Sequence, residues 1–329
     1  MIEISTEALS KICKKTTIFL PANLTKKEDF KKKLDEIENL SIEKITFVDK
    51  KLIKFGYLRS GFKEILEKSN IIFLHNASLV KSMRSYFPKK KMVLFFHTDK
   101  ISQLKEICLV DKVLSVNKTM TKNINQIKEN QAVYLPNCIN IKNINILPKN
   151  NNSSIKSKPS ELVVGAMGRL VKKKGFKFLI EACSEMKEIK LLIAGSGIEY
   201  NSLTKASINK NNIKLLGWTR NKEQFFEKID VFCCSSEVEP FGLVIIEAMS
   251  RGIPVISTNC NGPKDIISNK KNGILININN KAELKKAITE LKINVKLRKK
   301  LSENAKSDFE KKYTFQKYKK NLNYIIRNL

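Results

Sequence analysis

Between Val231 and Ile256 the hydrophobic period changes three times, and that order of changes admits few folds. Val231-Phe232-Cys233-Cys234 is a short unbroken apolar run, the pattern of a strand buried on both faces. Pro240 and Gly242 break the chain. From Leu243 the apolar residues return at helical spacing, through Ile246 and Met249, with Val244 and Ala248 beside them. Gly252 and Pro254 then stop the helix in the order in which helices end, and Val255-Ile256 opens the next strand. The result is a strand–loop–helix–strand unit whose loop feeds a helix N-terminus. Units of this kind build layered α/β folds.

The loop has its own chemistry. A helix N-terminus carries free backbone N–H groups and the positive end of the helix dipole, which favour a phosphate. Gly242 lets a ligand approach the backbone. Glu239 lies before the helix and Glu247 on its second turn. A carboxylate accepts two hydrogen bonds in fixed geometry, which suits sugar hydroxyls. Phosphate-binding donors at the helix start, between two hydroxyl-binding carboxylates, fit a nucleotide-sugar.

The run Glu239-Pro-Phe-Gly-Leu-Val-Ile-Ile-Glu247, continued by Ala-Met-Ser-Arg-Gly-Ile-Pro-Val, resembles the E-x7-E signature of family 4 retaining glycosyltransferases of the bacterial lipopolysaccharide and polysaccharide type. The resemblance implies the GT-B architecture, an α/β fold of two Rossmann-like domains facing across a cleft, with a C-terminal helix crossing back to the first domain. It implies a nucleotide-diphosphate sugar as donor (UDP-, GDP- or ADP-linked) and a glycan or lipid-linked acceptor. No metal or other cofactor is expected, because cationic side chains and helix ends hold the diphosphate in that family.

A length of 329 residues gives two domains as the prior. Residues 1–148 read as an N-terminal acceptor-side domain and 149–160 as a linker, in a stretch from Asn137 where Asn, Ser, Lys and Pro accumulate and periodicity vanishes. Residues 161–310 read as the nucleotide-sugar domain and 311–329 as the crossover helix. No run of eighteen apolar residues exists, so no transmembrane helix is expected. The amphipathic start is not a secretory signal. Seven cysteines without a C-x-x-C pair point to a reducing cytoplasm, Cys233 and Cys234 packing as small apolar residues.

The chain carries 62 Lys+Arg against 32 Asp+Glu, a formal charge of +30. Only seven of the cations are Arg, and the richness in Lys, Asn and Ile matches an AT-rich coding sequence as the source of the excess. A surface this basic is suited to peripheral contact with an anionic membrane at the inner face of the cytoplasmic membrane. Nucleic acid is disfavoured as a partner, because the lysines are spread along the chain and no RNA-binding or helix-turn-helix signature stands out.

In the first half, short apolar runs alternate with helical patterns. Strands are expected at Thr17–Leu20, Lys44–Val48, Ile71–His75, Met92–His97, Val113–Val116 and Ala132–Leu135. Helices are expected at Ile4–Lys15, Phe30–Leu40, Phe62–Lys68 and Leu79–Phe87. Such alternation implies a parallel sheet covered on both faces. The only two histidines, His75 and His97, both fall at strand C-termini, where ligands bind in open α/β sheets. By the resemblance, His97 reaches the donor sugar or its phosphate. Relatives open with a strand and a glycine-rich loop; here the first thirteen residues read as the helix that follows such a loop. Asn137-Cys138 stands where relatives carry Asn-Gly.

In the second half, Gly168-Arg169-Leu170-Val-Lys-Lys-Lys174-Gly175 is similar to the family's G-R-L-x-x-x-K-G, in which the Arg and Lys clamp the diphosphate. Arg169 offers a planar fork and Lys174 a point charge, both matched to phosphate. Gly195, in Ala-Gly-Ser-Gly197 after a strand, is a candidate nucleotide contact, and Trp218 a candidate wall of the base pocket. Asn261-Gly262-Pro263-Lys264-Asp265 resembles a G-G-P-x-E turn near the donor sugar. The roles implied by the resemblance are Glu239 on sugar hydroxyls, Glu247 on the ribose, and Arg169 and Lys174 on the leaving diphosphate, assisted by the amides of Phe241, Gly242 and Leu243. Two other readings stay open: a non-catalytic nucleotide-sugar-binding or partner protein of the same fold, and a basic nucleic-acid binder.

Overall fold

The computed structural model describes residues 1–21, 24, 28–99, 102, 107–140 and 161–329. The chain divides into two compact units, Met1–Asn137 with Phe315–Leu329, and Cys138–Thr314. The expected linker at 149–160 lies outside the described residues.

In the first unit, helix α1 (Ile2–Ser10) leads to strand β1 (Thr16–Pro21), α2 (Glu28–Asp35), β2 (Leu40–Ile45), α3 (Phe47–Lys54) and α4 (Ser60–Lys68). Then come β3 (Ile71–Leu74), α5 (Val80–Tyr86), β4 (Lys91–Phe96), β5 (Lys112–Ser115), α6 (Lys118–Ile127) and β6 (Ala132–Tyr134). Strands β1 and β2 pair in parallel, and β3-β4-β5-β6 form a parallel sheet in sequence order. Strand β4 shows why the sheet needs cover on both faces. Met92, Val93, Leu94, Phe95 and Phe96 are all buried, so neither face meets water.

Two elements depart from the expected pattern. The strand placed at Lys44–Val48 ends at Ile45, and Phe47 and Val48 begin α3. A capping box overrides their β propensity: Thr46 Oγ1 accepts from the Asp49 amide at 3.1 Å, and Asp49 Oδ2 accepts from the Thr46 amide at 2.9 Å. Those bonds hold the Asp49 carboxyl below its usual range, the Thr46 amide contributing most. Helix α6 is not evident in the sequence, because only Met120 and Ile124 of its residues are buried and the rest are polar apart from the exposed Ile127. Its N-cap is Asn117, whose Oδ1 accepts from the Met120 amide at 2.8 Å.

The second unit continues with β7 (Leu162–Met167), α7 (Phe176–Ser184), β8 (Ile189–Ala194), α8 (Tyr200–Ser207), β9 (Ile213–Gly217), α9 (Lys222–Glu227) and β10 (Val231–Cys234). It ends with α10 (Leu243–Ser250), β11 (Val255–Thr258), α11 (Asn261–Ile266), β12 (Ile274–Ile276), α12 (Lys281–Ile293) and α13 (Val295–Lys312). The turn expected at Asn261–Asp265 is helix α11. The last helix, α14 (Phe315–Arg327), belongs to the first unit and lays Phe315, Tyr318, Leu322 and Ile325 inward.

All six strands of the second unit are parallel, in the order β12-β11-β10-β7-β8-β9. The chain starts in the middle at β7, winds outward to β9, then returns to β10 on the other side of β7. The loops leaving β7 and β10 therefore flank a topological switch point, where ligands of such sheets bind in the crevice outside the strand C-termini. Cys233 and Cys234 are buried in β10, and all seven cysteines are free thiols.

Candidate active site

The backbone around that crevice is assembled by close contact between loops. Leaving β7, the Gly168 amide donates to the Ala194 carbonyl at 3.0 Å, and the Leu170 amide to Ser196 at 2.8 Å. A Cβ on Gly195 would lie 1.9 Å from the Gly168 carbonyl oxygen, so only glycine permits this approach. The Gly195 position is thus explained by the meeting of two strand-end loops, and with it Gly168 and Arg169 are held in place. Arg169 itself is exposed.

The segment carrying Lys174 is tied to the loop after β10. Ser235 Oγ donates to the Lys174 carbonyl at 3.0 Å, and the Glu237 amide to the Lys173 carbonyl at 2.9 Å. Lys174 and Glu239 meet as an ion pair, Nζ to Oε2, with their side chains 20% and 11% exposed. Thr258 Oγ1 donates to the Ser236 carbonyl at 2.5 Å, fixing the loop from the neighbouring strand. The Glu239 carbonyl accepts from the Gly262 amide at 2.9 Å, so α11 sets the height of Glu239. Phe241 is buried edge-on against Tyr313, with ring centroids 6.1 Å apart.

Gly242 is the N-cap of α10, with φ at 109°, a left-handed conformation that disfavours any side chain. No side chain caps this helix. The Ile245 amide returns to the Gly242 carbonyl at 2.9 Å, and the amides at Leu243 and before it remain at the positive end of the dipole. Two turns of α10 hold Glu247. Its Oε1 lies 2.6 Å from Lys222 Nζ of α9. Its Oε2 is buried and has no hydrogen-bond partner among the described residues. A buried carboxylate oxygen in that position calls for a donor. One turn on, Arg251 bonds Glu223 at 2.9 Å and lies 4.4 Å over the Phe226 ring, which locks α9 to α10. Trp218, just past β9, is 73% exposed, so it takes no part in the core.

In the first unit, His75 and His97 follow β3 and β4, which are neighbours in the sheet. Their rings stack at 5.7 Å with an 8° interplanar angle, and Phe95 stacks on His75 at 4.6 Å. Burial drives both imidazoles down, His75 to about 3 and His97 to about 4. Both are therefore neutral at pH 7, each with one donor and one acceptor nitrogen. Ser5 Oγ of α1 lies 3.3 Å from His75 Nε2. Both ring nitrogens of His97 are buried without a hydrogen-bond partner among the described residues.

The second unit thus gathers Gly168, Arg169, Lys174, Gly195, Trp218, Glu239, Phe241, Gly242, Leu243 and Glu247 around strand C-termini, while His97 occupies the corresponding edge of the first unit. Lys222, the partner of Glu247, and Tyr313, the support of Phe241, escape sequence reading. One is a lysine among many, and the other lies far along the chain. Asn221, which caps α9 by accepting from the Gln224 amide at 3.1 Å, was the available signal for Lys222. Among the described residues no group of three or more His, Cys, Asp or Glu is placed to hold a metal ion.

Residues 148–308 match the family model described as Glycosyl transferases group 1. The chain is similar to the lipopolysaccharide core biosynthesis glycosyltransferase LpsE of Rhizobium meliloti, 34% identical over 144 residues, 43% of this chain and 42% of that protein. It thus spans about two fifths of that relative's length. It is also similar to an uncharacterized glycosyltransferase of Haemophilus influenzae, 28% identical over 302 residues, 87% of this chain and 78% of the relative. Among solved structures, Anabaena HepE in complex with UDP and glucose superposes with a TM-score of 0.79 at 16% identity, covering 99% of this chain and 95% of that one. That likeness establishes the fold class, GT-B α/β with two sheet domains.

Proposed function

We propose that this chain, whose residues 148–308 match the group 1 glycosyltransferase model, is a retaining glycosyltransferase that moves a sugar from a nucleotide-diphosphate donor to a glycan or lipid-linked acceptor. Lipopolysaccharide or surface polysaccharide synthesis is the setting, in line with the relatives' names. One observation carries the reading. The β7/β10 switch point carries Arg169 and Lys174 on one loop and Glu239 on the other, with Lys174 paired to Glu239, the uncapped N-terminus of α10 following and the half-satisfied Glu247 on its second turn.

Each group has a task in that reading. The free Oε2 of Glu247 accepts from a ribose hydroxyl. The first amides of α10, with Arg169 and Lys174, bind the diphosphate and hold the charge that grows on it as the glycosidic bond breaks. Glu239 accepts from sugar hydroxyls. The Lys174–Glu239 pair separates as the lysine turns to the phosphate and the carboxylate to the sugar, exchanging one partner for another in a mostly buried setting. The acceptor hydroxyl attacks the anomeric carbon from the face that the phosphate leaves, and the phosphate oxygen takes its proton. No separate base is needed, and these cations carry the charge without a metal ion. UDP is the first nucleotide to try, because HepE was solved with it. The +30 charge suits an acceptor held at an anionic bilayer.

The test is a screen of UDP-, GDP- and ADP-sugars by thermal shift and by nucleotide release, with free nucleotides as controls. Stabilisation by one nucleotide with slow release from its sugar, insensitive to EDTA and lost in Glu239→Gln, is the expected result. Stabilisation without release, with any acceptor fraction supplied, would leave a binding-only protein. No stabilisation at millimolar ligand would remove the reading altogether.

A further inference from the structure

Among the described residues, the large apolar side chains left in water are not evenly spread. Five of the sixteen exposed ones lie between residues 47 and 57: Phe47 at 72%, Val48 at 61%, Leu52 at 42%, Phe55 at 78% and Tyr57 at 68%. The rest fall in ones and twos. Scattered apolar residues are ordinary on a protein surface, but a contiguous group of this size is not.

The group belongs to an ordered element. Helix α3 turns Ile53 into the core, where it packs in a cluster with Ile72, Val80 and Met83. The capping box at Thr46 and Asp49 starts the helix, and the Phe55 and Tyr57 amides close it on the Lys51 and Leu52 carbonyls at 3.1 and 2.8 Å. Tyr86 of α5 donates its hydroxyl hydrogen to the Gly56 carbonyl, pinning the following turn. With Ile53 committed inward, Phe47, Val48, Leu52 and Phe55 face outward and stay exposed.

The charges exposed on the helix itself have one sign among its described side chains. Lys51 and Lys54 are exposed, Lys51 lies 5.0 Å over the Phe47 ring, and Lys44 and Arg59 are exposed in the chain segments on either side. The acid within the helix, Asp49, is buried in the cap. A second copy of the chain docking here about a two-fold axis would bring these cations against themselves. An anionic bilayer meets both halves of the pattern: aromatic and aliphatic side chains enter the headgroup boundary, and lysines on long stems reach the lipid phosphates.

We propose that α3 and the turn after it form a membrane-docking surface, which inserts Phe47, Val48, Leu52 and Phe55 into an anionic lipid leaflet while Lys44, Lys51, Lys54 and Arg59 engage its headgroups. The proposal deepens the idea of contact with an anionic membrane but needs neither donor nor acceptor to be known. A chain that docks on lipid and transfers no sugar would leave it intact.

The test is co-sedimentation with vesicles of phosphatidylcholine alone and of phosphatidylcholine mixed equally with phosphatidylglycerol. Phe47→Ser with Phe55→Ser leaves the net charge unchanged, so bulk attraction of a +30 chain is held constant. The expected result is binding of the parent chain to the mixed vesicles, weakened about tenfold or more in the double variant. Ile198→Ser with Ile208→Ser, the same chemistry on exposed sites of the second unit, should bind like the parent. A thermal midpoint equal to the parent's certifies that the Phe variant folds. If it fails, Phe55→Ser alone, beyond the helix end, takes its place. Equal binding by the Phe variant, equal loss in the Ile variant, or no binding by the parent overturns the proposal. So does a parent dimer that the Phe substitutions turn into a monomer, since the surface would then be a subunit contact.

Discussion

Arg169 is one of seven arginines in a chain of 62 cations, and it stands exposed at the end of β7 while Lys174 is engaged by Glu239. In the proposed reaction its exposure leaves it accessible to the diphosphate. Arg169→Ala should lower kcat by about 2–4 kcal/mol of transition-state stabilisation, with little change in thermal stability. Steady-state kinetics on the donor found in the screen decide it, and unchanged turnover rules out the phosphate role. The histidines make a separate residue-scale prediction. Burial holds His97 near 4 and His75 near 3, whereas unfolded histidines titrate at about 6.5. As pH falls from 6.5 toward 4, the unfolded chain takes up protons that the folded chain refuses, so stability falls across that window. His97 alone accounts for a loss of about 3 kcal/mol once the pH lies below both values. Urea unfolding between pH 7 and 4 should show this slope, and His97→Gln should flatten it. An unchanged slope in the variant would place the titrating group elsewhere.

Helix α3 illustrates how one cap decides an element. Its sequence reads as strand at Phe47-Val48, yet two reciprocal bonds between Thr46 and Asp49 turn it into helix. Thr46→Ala should cost about 1 kcal/mol, the usual value of a lost N-cap. Chemical denaturation measures the cost, and the variant should also bind mixed vesicles more weakly because the docking face frays with the helix. Full stability would mean that packing of Ile53 alone holds α3. Helix α11 makes the complementary point. Asn261–Asp265 resembles the family's G-G-P-x-E turn, yet the segment is helical, because Pro263 lies in the first turn, where a missing amide costs nothing. Helix α6 was missed for a different reason: a helix whose inward face holds only Met120 and Ile124 leaves almost no period to detect.

At the scale of the molecule, each unit has its own core: one built on Met92, Leu94 and Phe96, the other on Val164, Leu191, Val231 and Ile256. The residues proposed to hold the donor, Glu239, Glu247, Arg169 and Lys174, all lie in the second unit. A nucleotide at a hundred times its dissociation constant should therefore stabilise that unit by about 2.7 kcal/mol. Hydrogen exchange should slow in β7, β10 and α10. Protection confined to the first unit would move the nucleotide site to the histidine edge.

Much of the second unit was legible in the chain itself. Each of its strands except β10 is a short, mostly apolar run with Gly, Pro or Asn at one end or both, and Glu239, Gly242 and Glu247 share one loop and helix whose spacing is local. Local spacing survives in sequence because α10 converts it directly into position. Tertiary structure alone decided the pairings across the chain: Lys174 with Glu239, Lys222 with Glu247, Phe241 with Tyr313, His75 with His97. It also decided that Gly195 serves the approach of two loops and that Phe47 and Phe55 face outward. Those outcomes depend on which strands lie side by side and on what already fills the core, and neither is written in the period of any single segment.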